Sequence, residues 1–182
     1  MYSKYCTDVF VVMLDILNSI DPSKYAVVFD IDDTILFNKH DTACYGELNG
    51  PIHHVFKIIE TYGIPIFFVT ARVYTTENEQ MTRDQLSCLG LEYVDVFLRP
   101  SSFDTAADFA VFKSLCRKNI MEIYNKKILF NIGDQWTDLI SNIYNKEFPL
   151  ITKKYEGFYC IFKPLKEDYA SWAVKLPSRY TL

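Results

Sequence analysis

The chain has 182 residues, of which 49% are hydrophobic and 23% are charged, and this balance is typical of a globular domain with a sizeable core. The formal net charge is −4 and the lysines and arginines are scattered along the chain, which argues against an extended basic surface for nucleic acids. No apolar stretch approaches the roughly 18 residues that a membrane-spanning helix needs, so we expect a soluble protein with no membrane partner.

Hydrophobic periodicity predicts helices that alternate with strands along the chain. The predicted helices cover about residues 8–20, 51–62, 76–89, 106–123 and 137–145. The predicted strands cover residues 25–29, 64–69, 93–98, 127–132 and 148–152, a loop covers 38–50, and the segment after Tyr155 stays unassigned. This alternation indicates an α/β fold in one domain over residues 1–182, with a three-layer, doubly wound parallel sheet.

Two carboxylates follow the first predicted strand. Asp30 and Asp32 come directly after the apolar run 25–29, and their i, i+2 spacing places both at the carboxyl end of a buried strand. Open α/β sheets bind their ligands at this end. Because two like charges buried so close together are unfavourable unless a cation or a shared proton compensates them, the pair predicts a metal site.

Two more predicted strands end in groups that can do chemistry. Thr70 follows the strand 64–69, Asp134 follows the strand 127–132, and Asp138 comes one helical turn after Asp134. The carboxyl ends of these strands lie along one edge of a right-handed, doubly wound sheet. We therefore expect the side chains to converge on a single site.

In this order, the motifs resemble those of the haloacid dehalogenase (HAD) superfamily of phosphohydrolases. Within it, the chain is similar to the subfamily IIIB acid phosphatases, which are class B-like and include plant vegetative-storage-type enzymes. The resemblance covers about residues 24–180. It rests on Asp30-Ile31-Asp32-Asp33-Thr34, Val69-Thr70-Ala71-Arg72, Leu98-Arg99-Pro100, Phe112-Lys113, the run 131–139 and Lys175-Leu176-Pro177.

The resemblance implies a HAD-like Rossmannoid fold and a role for each residue of the site. Asp30 would be the nucleophile that forms an aspartyl-phosphate. Asp32 would protonate the leaving oxygen and then activate water. Thr70, Ala71 and Lys113 would bind the phosphoryl group, where negative charge builds up during transfer.

The same resemblance implies Mg²⁺ as the cofactor, because Mg²⁺ prefers hard oxygen ligands. The expected metal residues are Asp30, Asp134 and Asp32, the last through its backbone carbonyl. Asp138 would hold a metal-bound water or orient Lys113. Arg117, one turn after Lys113, would support the site.

Other conspicuous residues have plainer interpretations. Asp33 is predicted to be a turn or cap carboxylate. Arg72 and Arg99 are expected to pair with surface or loop carboxylates in preference to contacting the substrate, although a substrate or clamp role stays open. Trp136 is expected to be a packing wedge and not a platform for stacking bases.

Neither the histidines nor the cysteines have the spacing of a zinc site. The five cysteines are odd in number and widely spaced, without a C-x-x-C pair. This usage predicts reduced, partly buried thiols in a cytoplasmic or otherwise intracellular protein. The apolar run 9–14 is interrupted by charges and lacks a cleavage pattern, so no signal peptide is expected.

The leading functional hypothesis is a Mg²⁺-dependent phosphomonoester hydrolase that acts on nucleotides or other small phosphomonoesters. The alternatives are a catalytically weak phosphate-binding or storage-type protein, and a phosphatase of nucleic-acid ends or phosphoproteins. The intervals 30–70 and 70–113 leave no room for a folded cap domain, so a capless member is expected. A homo-oligomer or the loop 37–50 could then cover the site.

Overall fold

The structure is a computed structural model that describes residues 4–37, 46–142, 153–155 and 159–177. The helices of these ranges are α1 (Lys4–Asn18), α2 (Gly50–Thr61), α3 (Thr76–Cys88), α4 (Ala106–Tyr124) and α5 (Trp136–Leu139). The strands are β1 (Tyr25–Phe29), β2 (Leu36–Phe37), β3 (Glu47–Leu48), β4 (Ile66–Val73), β5 (Asp95–Arg99), β6 (Lys127–Gly133), β7 (Lys153–Tyr155), β8 (Tyr159–Phe162) and β9 (Trp172–Lys175).

A seven-stranded sheet with the order β5-β4-β1-β6-β9-β8-β7 forms the middle layer. The first five strands in this order run parallel, namely β5, β4, β1, β6 and β9. Strands β8 and β7 continue the sheet in antiparallel pairs. The predicted α/β fold with a doubly wound, three-layer architecture is therefore confirmed. The carboxyl-terminal segment, which the sequence analysis left unassigned, supplies the parallel strand β9 and its antiparallel neighbours β8 and β7.

The side chains of β1 alternate between two hydrophobic cores, as the period of a strand requires. Val27 and Phe29 point into the larger core, which also contains buried side chains of α1 and α2. Ala26 and Val28 point into the smaller core, which contains one face of α4. Burial on both faces explains why β1 reads as a continuous apolar run.

Several boundaries differ from those predicted. Helix α1 runs from Lys4 to Asn18 and not over 8–20, and β4 continues to Val73, beyond the predicted end at residue 69. Helix α5 is a single turn that ends at Leu139, well short of residue 145. The predicted strand 148–152 lies outside the described residues.

The interval between β1 and α2 carries a small hairpin where a loop was predicted. Leu36 pairs with Leu48 and Phe37 pairs with Glu47 in the antiparallel pair β2–β3. The rest of the predicted loop, residues 38–45, lies outside the described residues. The described part of this interval therefore contains the turn after β1 and this hairpin.

Helix α4 begins with a capping box that fixes its first turn. The Thr105 hydroxyl accepts from the Asp108 backbone N–H, and the Asp108 carboxylate accepts from the Thr105 backbone N–H in return. This arrangement satisfies two of the backbone donors that a helix start leaves unpaired. The point at which α4 begins is thus set by local sequence.

The cysteines are only partly as expected. Cys116 is free and buried, and burial raises the pKa of its thiol to about 12. Cys88 is disulfide-bonded, so the prediction of reduced thiols is wrong for this residue.

Among the described helices, none combines the length and the apolar character that crossing a bilayer would require.

Candidate active site

The site lies at the edge of the sheet where β1, β4 and β6 end. Phe29, the last residue of β1, pairs with Phe68 on one side and with Ile132 on the other. This register brings Asp30 to the same edge as Thr70 of β4 and Asp134 after β6. The predicted convergence of three strand ends is therefore present in the backbone.

Asp30 is buried and tied to both neighbouring segments. Its backbone N–H donates to the Ile132 carbonyl at 2.9 Å, and its Oδ2 accepts from the Thr34 hydroxyl at 3.3 Å. The same hydroxyl accepts from the Asp134 backbone N–H at 3.1 Å. Thr34 therefore joins the turn after β1 to the turn after β6, a role that the sequence analysis did not assign to it.

Lys113 reaches this edge from α4 and is almost completely buried. Its Nζ lies 2.5 Å from Asp30 Oδ1 and 2.6 Å from Asp138 Oδ1. Lys113 is therefore not the exposed helix lysine that its sequence position alone would favour. It is a buried ammonium that bridges two carboxylates.

The turn after β6 holds Asp134 and Asp138 side by side. The Asp138 carboxylate accepts from the Gln135 backbone N–H at 2.8 Å, and Asp134 Oδ2 accepts from Gln135 Nε2 at 2.6 Å. Gly133 allows Asp138 to approach, because a Cβ atom at Gly133 would lie 2.4 Å from Asp138 Oδ2. The spacing Gly-Asp-x-x-x-Asp thus has a steric cause as well as a chemical one.

Three carboxylates, those of Asp30, Asp134 and Asp138, form what we call the carboxylate cluster. Each offers an oxygen, and these oxygens lie within 4.8 Å of one another. Asp32 is not part of the cluster.

Burial and neighbouring charges shift the pKa values of Asp30 and Asp134. The pKa of Asp30 is raised well above its ordinary value, mainly by burial, and the Lys113 charge only partly opposes this shift. Burial and the neighbouring Asp138 charge raise the pKa of Asp134 to about 6. Burial lowers the pKa of Lys113, but the Asp138 and Asp30 charges outweigh it and leave that pKa raised.

The carboxylate cluster has the charge and the donor atoms that suit a divalent cation. When all groups are ionised, three carboxylates and the Lys113 ammonium leave a local charge of −2. The available donors are hard oxygens, which Mg²⁺ prefers. Burial is the main cause of the raised pKa values of Asp30 and Asp134, and the neighbouring Asp138 charge adds to both shifts. The residues present therefore fit a divalent metal.

Thr70 and Ala71 lie within β4 and not after it, because the strand continues to Val73. Thr70 is fully buried and its hydroxyl accepts from the Arg72 backbone N–H at 3.2 Å. The Ala71 carbonyl accepts from Arg99 Nε at 2.9 Å.

The two arginines after Thr70 contact protein groups. Arg72 forms a two-pronged ion pair with Asp32, at 2.9 Å through Nε and 2.7 Å through Nη2. Arg99 is buried, bonds the Ala71 and Phe103 carbonyls and lies 4.4 Å from the centroid of the Phe109 ring. Arg72 thus pairs with a carboxylate of the site, and Arg99 clamps the loop before α4.

Arg117 supports the site through the backbone. It is fully buried and donates to the Asp138 carbonyl and to the Asp168 carbonyl, both at 2.7 Å. The Asn131 side-chain amide donates to the same Asp138 carbonyl at 2.7 Å. Burial lowers the pKa of Arg117 to about 10.

Strand β9 supplies a lysine that the sequence analysis mentioned without assigning a role. Lys175 Nζ donates to the Asp134 carbonyl at 2.5 Å and to the Leu176 carbonyl at 2.6 Å. It lies 5.7 Å from the centroid of the Trp136 ring. Trp136 also packs against Phe162, with ring centroids 5.8 Å apart, which fits a packing residue. The only sequence signal for Lys175 was its place in Lys175-Leu176-Pro177.

Comparisons with known proteins found similar solved structures and a matching family model. The solved structures that resemble part of the chain include a chain of the Pnkp1/Rnl/Hen1 complex (21% identity, TM-score 0.48, 62% of this chain) and a chain of the Pnkp1/Rnl/Hen1 RNA repair complex (18% identity, TM-score 0.46, 63% of this chain). The matches cover 39% and 37% of those longer chains. No curated protein matches the sequence.

A family model matches residues 39–155, about two thirds of the chain, and its description is the HAD superfamily, subfamily IIIB (acid phosphatase). The match begins after Asp30 and Asp32, and it includes Thr70, Lys113 and Asp134. The chain belongs to subfamily IIIB of the HAD superfamily, the acid phosphatase subfamily.

Proposed function

We propose that this protein is a Mg²⁺-dependent phosphomonoester hydrolase that works through an aspartyl-phosphate on Asp30. Membership in the acid phosphatase subfamily indicates a phosphoric monoester hydrolase. The observation that carries the proposal is the buried bridge from Lys113 to Asp30 and Asp138. It leaves the carboxylate cluster with surplus negative charge, and a cluster that served stability alone would be neutral or apolar.

In the first transfer, an Asp30 carboxylate oxygen attacks phosphorus, and the bond from phosphorus to the ester oxygen breaks. Asp32 gives its proton to the departing oxygen, so the product leaves as an alcohol. The Lys113 ammonium and the Thr70 hydroxyl hold the phosphoryl oxygens, on which negative charge is spread during transfer. The backbone N–H groups that follow Asp30 assist them.

In the second transfer, the ionised Asp32 takes a proton from a water molecule whose oxygen attacks phosphorus. The bond between phosphorus and Asp30 breaks, which releases phosphate and regenerates the carboxylate. Asp32 ends the cycle with a proton, ready for the next ester.

Asp30, Asp134 and the Asp32 backbone carbonyl would hold the metal, with Asp138 beside them. When bound, the cation offsets the repulsion between the Asp30 carboxylate and the substrate phosphate. Asp138 also orients Lys113.

A small monoester, such as a nucleotide, is the proposed substrate class. The acidic balance of the chain disfavours tight binding of a long polyanion. The phosphate-binding residues would contact the phosphoryl group, which all such esters have in common. Specificity would therefore come from loops around the site. A phosphate at the end of a nucleic acid or on a phosphoprotein is the second candidate.

The test is release of p-nitrophenol from p-nitrophenyl phosphate by metal-stripped protein, with and without added Mg²⁺. We expect turnover that needs both Mg²⁺ and Asp30, so the Asp30→Asn variant is the matched control. If the folded wild-type protein shows no turnover above that variant, the site is a phosphate-binding site and the proposal is wrong. A panel of nucleotides, sugar phosphates, a phosphopeptide and an end-phosphorylated oligonucleotide would then rank the substrates.

A further inference from the structure

Arg72 uses all three of its guanidinium nitrogens within the protein. Nε and Nη2 grip the two oxygens of Asp32, and Nη1 donates to Thr82 Oγ1 at 3.2 Å and to Gln85 Oε1 at 2.7 Å. Thr82 and Gln85 are three residues apart on α3 and therefore lie on the same face of the helix. The guanidinium is thus anchored to α3 on one side and to Asp32 on the other.

This arrangement differs from an ordinary surface ion pair. The side chains of Arg72 and Asp32 are 17% and 31% exposed, whereas Thr82 is fully buried and Gln85 nearly so. A two-pronged arginine–carboxylate pair fixes the plane of the carboxylate as well as its position. Because Nη1 is held independently, Arg72 cannot follow Asp32 if that side chain rotates.

We infer that Arg72 is a positioning residue for Asp32, and that Thr82 and Gln85 hold Arg72 in place. The inference rests on the proposed function, in which Asp32 protonates the leaving oxygen. Asp32 stands in the turn after β1, and the Nε and Nη2 groups of Arg72 each donate to one of its two carboxylate oxygens. The Arg72 fork defines where its two oxygens lie.

The chemical consequence concerns the leaving group. Proton transfer from Asp32 matters most when the ester oxygen departs as a poor leaving group, such as an alkoxide. A dinitrophenolate ion departs without a proton. Loss of the Arg72 fork should therefore slow the first transfer for alkyl phosphates and leave it nearly unchanged for dinitrophenyl phosphate.

The experiment measures kcat/KM with Mg²⁺ for alkyl, phenyl, nitrophenyl and dinitrophenyl phosphates, because kcat/KM reports the steps up to the first transfer and excludes hydrolysis of the intermediate. For Arg72→Gln we expect roughly a 10²-fold loss with the alkyl ester and less than about a threefold loss with the dinitrophenyl ester. The inhibition constant for inorganic phosphate should stay the same.

Variants on α3 separate positioning from folding. Gln85→Met keeps the volume but removes the acceptor, and it should show the same leaving-group dependence as Arg72→Gln with a smaller loss. Gln85→Glu keeps an acceptor and should behave like the wild type. Arg83→Gln is the control on the same helix, because Arg83 pairs with Glu79 and Asp95 away from Asp32, and its substrate profile should not change.

The outcomes are distinguishable. An equal loss of kcat/KM for every ester, with weaker inhibition by phosphate, would show that Arg72 binds the phosphoryl group and would overturn the inference. A leaving-group dependence that equals the wild type would overturn it as well. If the wild type hydrolyses none of the esters, the proposed function itself is wrong.

Discussion

Gly133 and Asp138 approach so closely that no side chain fits between them: a Cβ atom on Gly133 would lie 2.4 Å from both the Cβ and the Oδ2 of Asp138. Asp138 cannot easily move away from Gly133, because other contacts hold it. Its carboxylate is bonded by Lys113 and by the Gln135 backbone, and its carbonyl accepts from Arg117.

Gly133→Ala should therefore destabilise the protein by roughly 3 kcal/mol, which is the upper range for overpacking a well-packed interior. Thermal unfolding is the measurement, and the midpoint should fall by several degrees for a chain of this size. Gly63→Ala is the matched control. Its φ of +67° costs an alanine roughly 1 kcal/mol, but no atom lies within 4 Å of the new Cβ. A midpoint for Gly133→Ala at or above that of Gly63→Ala would contradict the steric argument.

Removal of the Lys113 ammonium should cost both turnover and stability. Lys113→Ala leaves Asp30 and Asp138 buried without their shared cation, and breaking a buried pair on one side typically costs about 3–5 kcal/mol. The variant should also bind inorganic phosphate more weakly, because the positive charge in the proposed phosphate site is gone. Steady-state kinetics with p-nitrophenyl phosphate and urea unfolding test the two effects separately. Near-normal kinetics would show that another cation fills the role of Lys113.

Asp134 should make the metal-free protein less stable as the pH rises. Its pKa of about 6 in the folded state exceeds the ordinary value of 3.8, so the folded state holds this proton more tightly than the unfolded state. Between these two values the folded state binds more protons, and the free energy of unfolding falls with rising pH by roughly 3 kcal/mol from this group alone. A divalent cation reverses the penalty, and Mg²⁺ should raise the unfolding midpoint more at about pH 7.5 than at about pH 5.

Asp134→Asn is the control for that pH effect. The amide does not titrate, so the fall in stability between about pH 4 and about pH 6 should become shallower than in the wild type. The variant should also need a higher Mg²⁺ concentration for half-maximal activity, because one anionic ligand is lost. A pH profile of stability that coincides with that of the wild type would show that Asp134 does not carry the shift.

Asp33 should tolerate glycine and reject a branched side chain. Its backbone lies in the left-handed region, with φ of 55°, which glycine adopts without strain and a β-branched residue does not. We expect Asp33→Gly to stay within about 1 kcal/mol of the wild type and Asp33→Val to be clearly destabilised. Because the Asp33 charge contributes to the raised pKa of Asp134, Asp33→Gly should also lower that pKa. Equal unfolding midpoints for the two variants would be inconsistent with this account.

Local sequence was a reliable guide wherever a feature depends on neighbouring residues. The bounds of β1 agree with the prediction for residues 25–29, because burial on both faces gives a continuous apolar run. The start of α4 follows from its capping box. The prediction that Asp33 occupies a turn agrees with its positive φ. Each of these features is decided within a few residues of chain.

Prediction failed where the determining contact lies far away in sequence. Strand β9 is short, and the polar and aromatic residues around it give no clear strand pattern in the sequence. Its place in the sheet depends on parallel pairing of Trp172–Lys175 with β6. Strand β4 was predicted to end before Thr70 because the apolar pattern stops there, yet pairing with β5 continues it to Val73. In both strands the backbone hydrogen bonds of the sheet outweigh weak local preference.

The sequence by itself determined the alternation of the helices with strands β1, β4, β5 and β6, the two carboxylates after β1 and the Gly-Asp-x-x-x-Asp turn, since periodicity and turn chemistry are local properties. Only the tertiary structure decided which cationic side chain pairs with which carboxylate. Lys113 pairs with Asp30, 83 residues away in the sequence, and Arg72 pairs with Asp32, 40 residues away. Such pairs depend on how α3 and α4 pack against the sheet. That packing is a sum of many small contacts over the whole chain, which no short motif encodes.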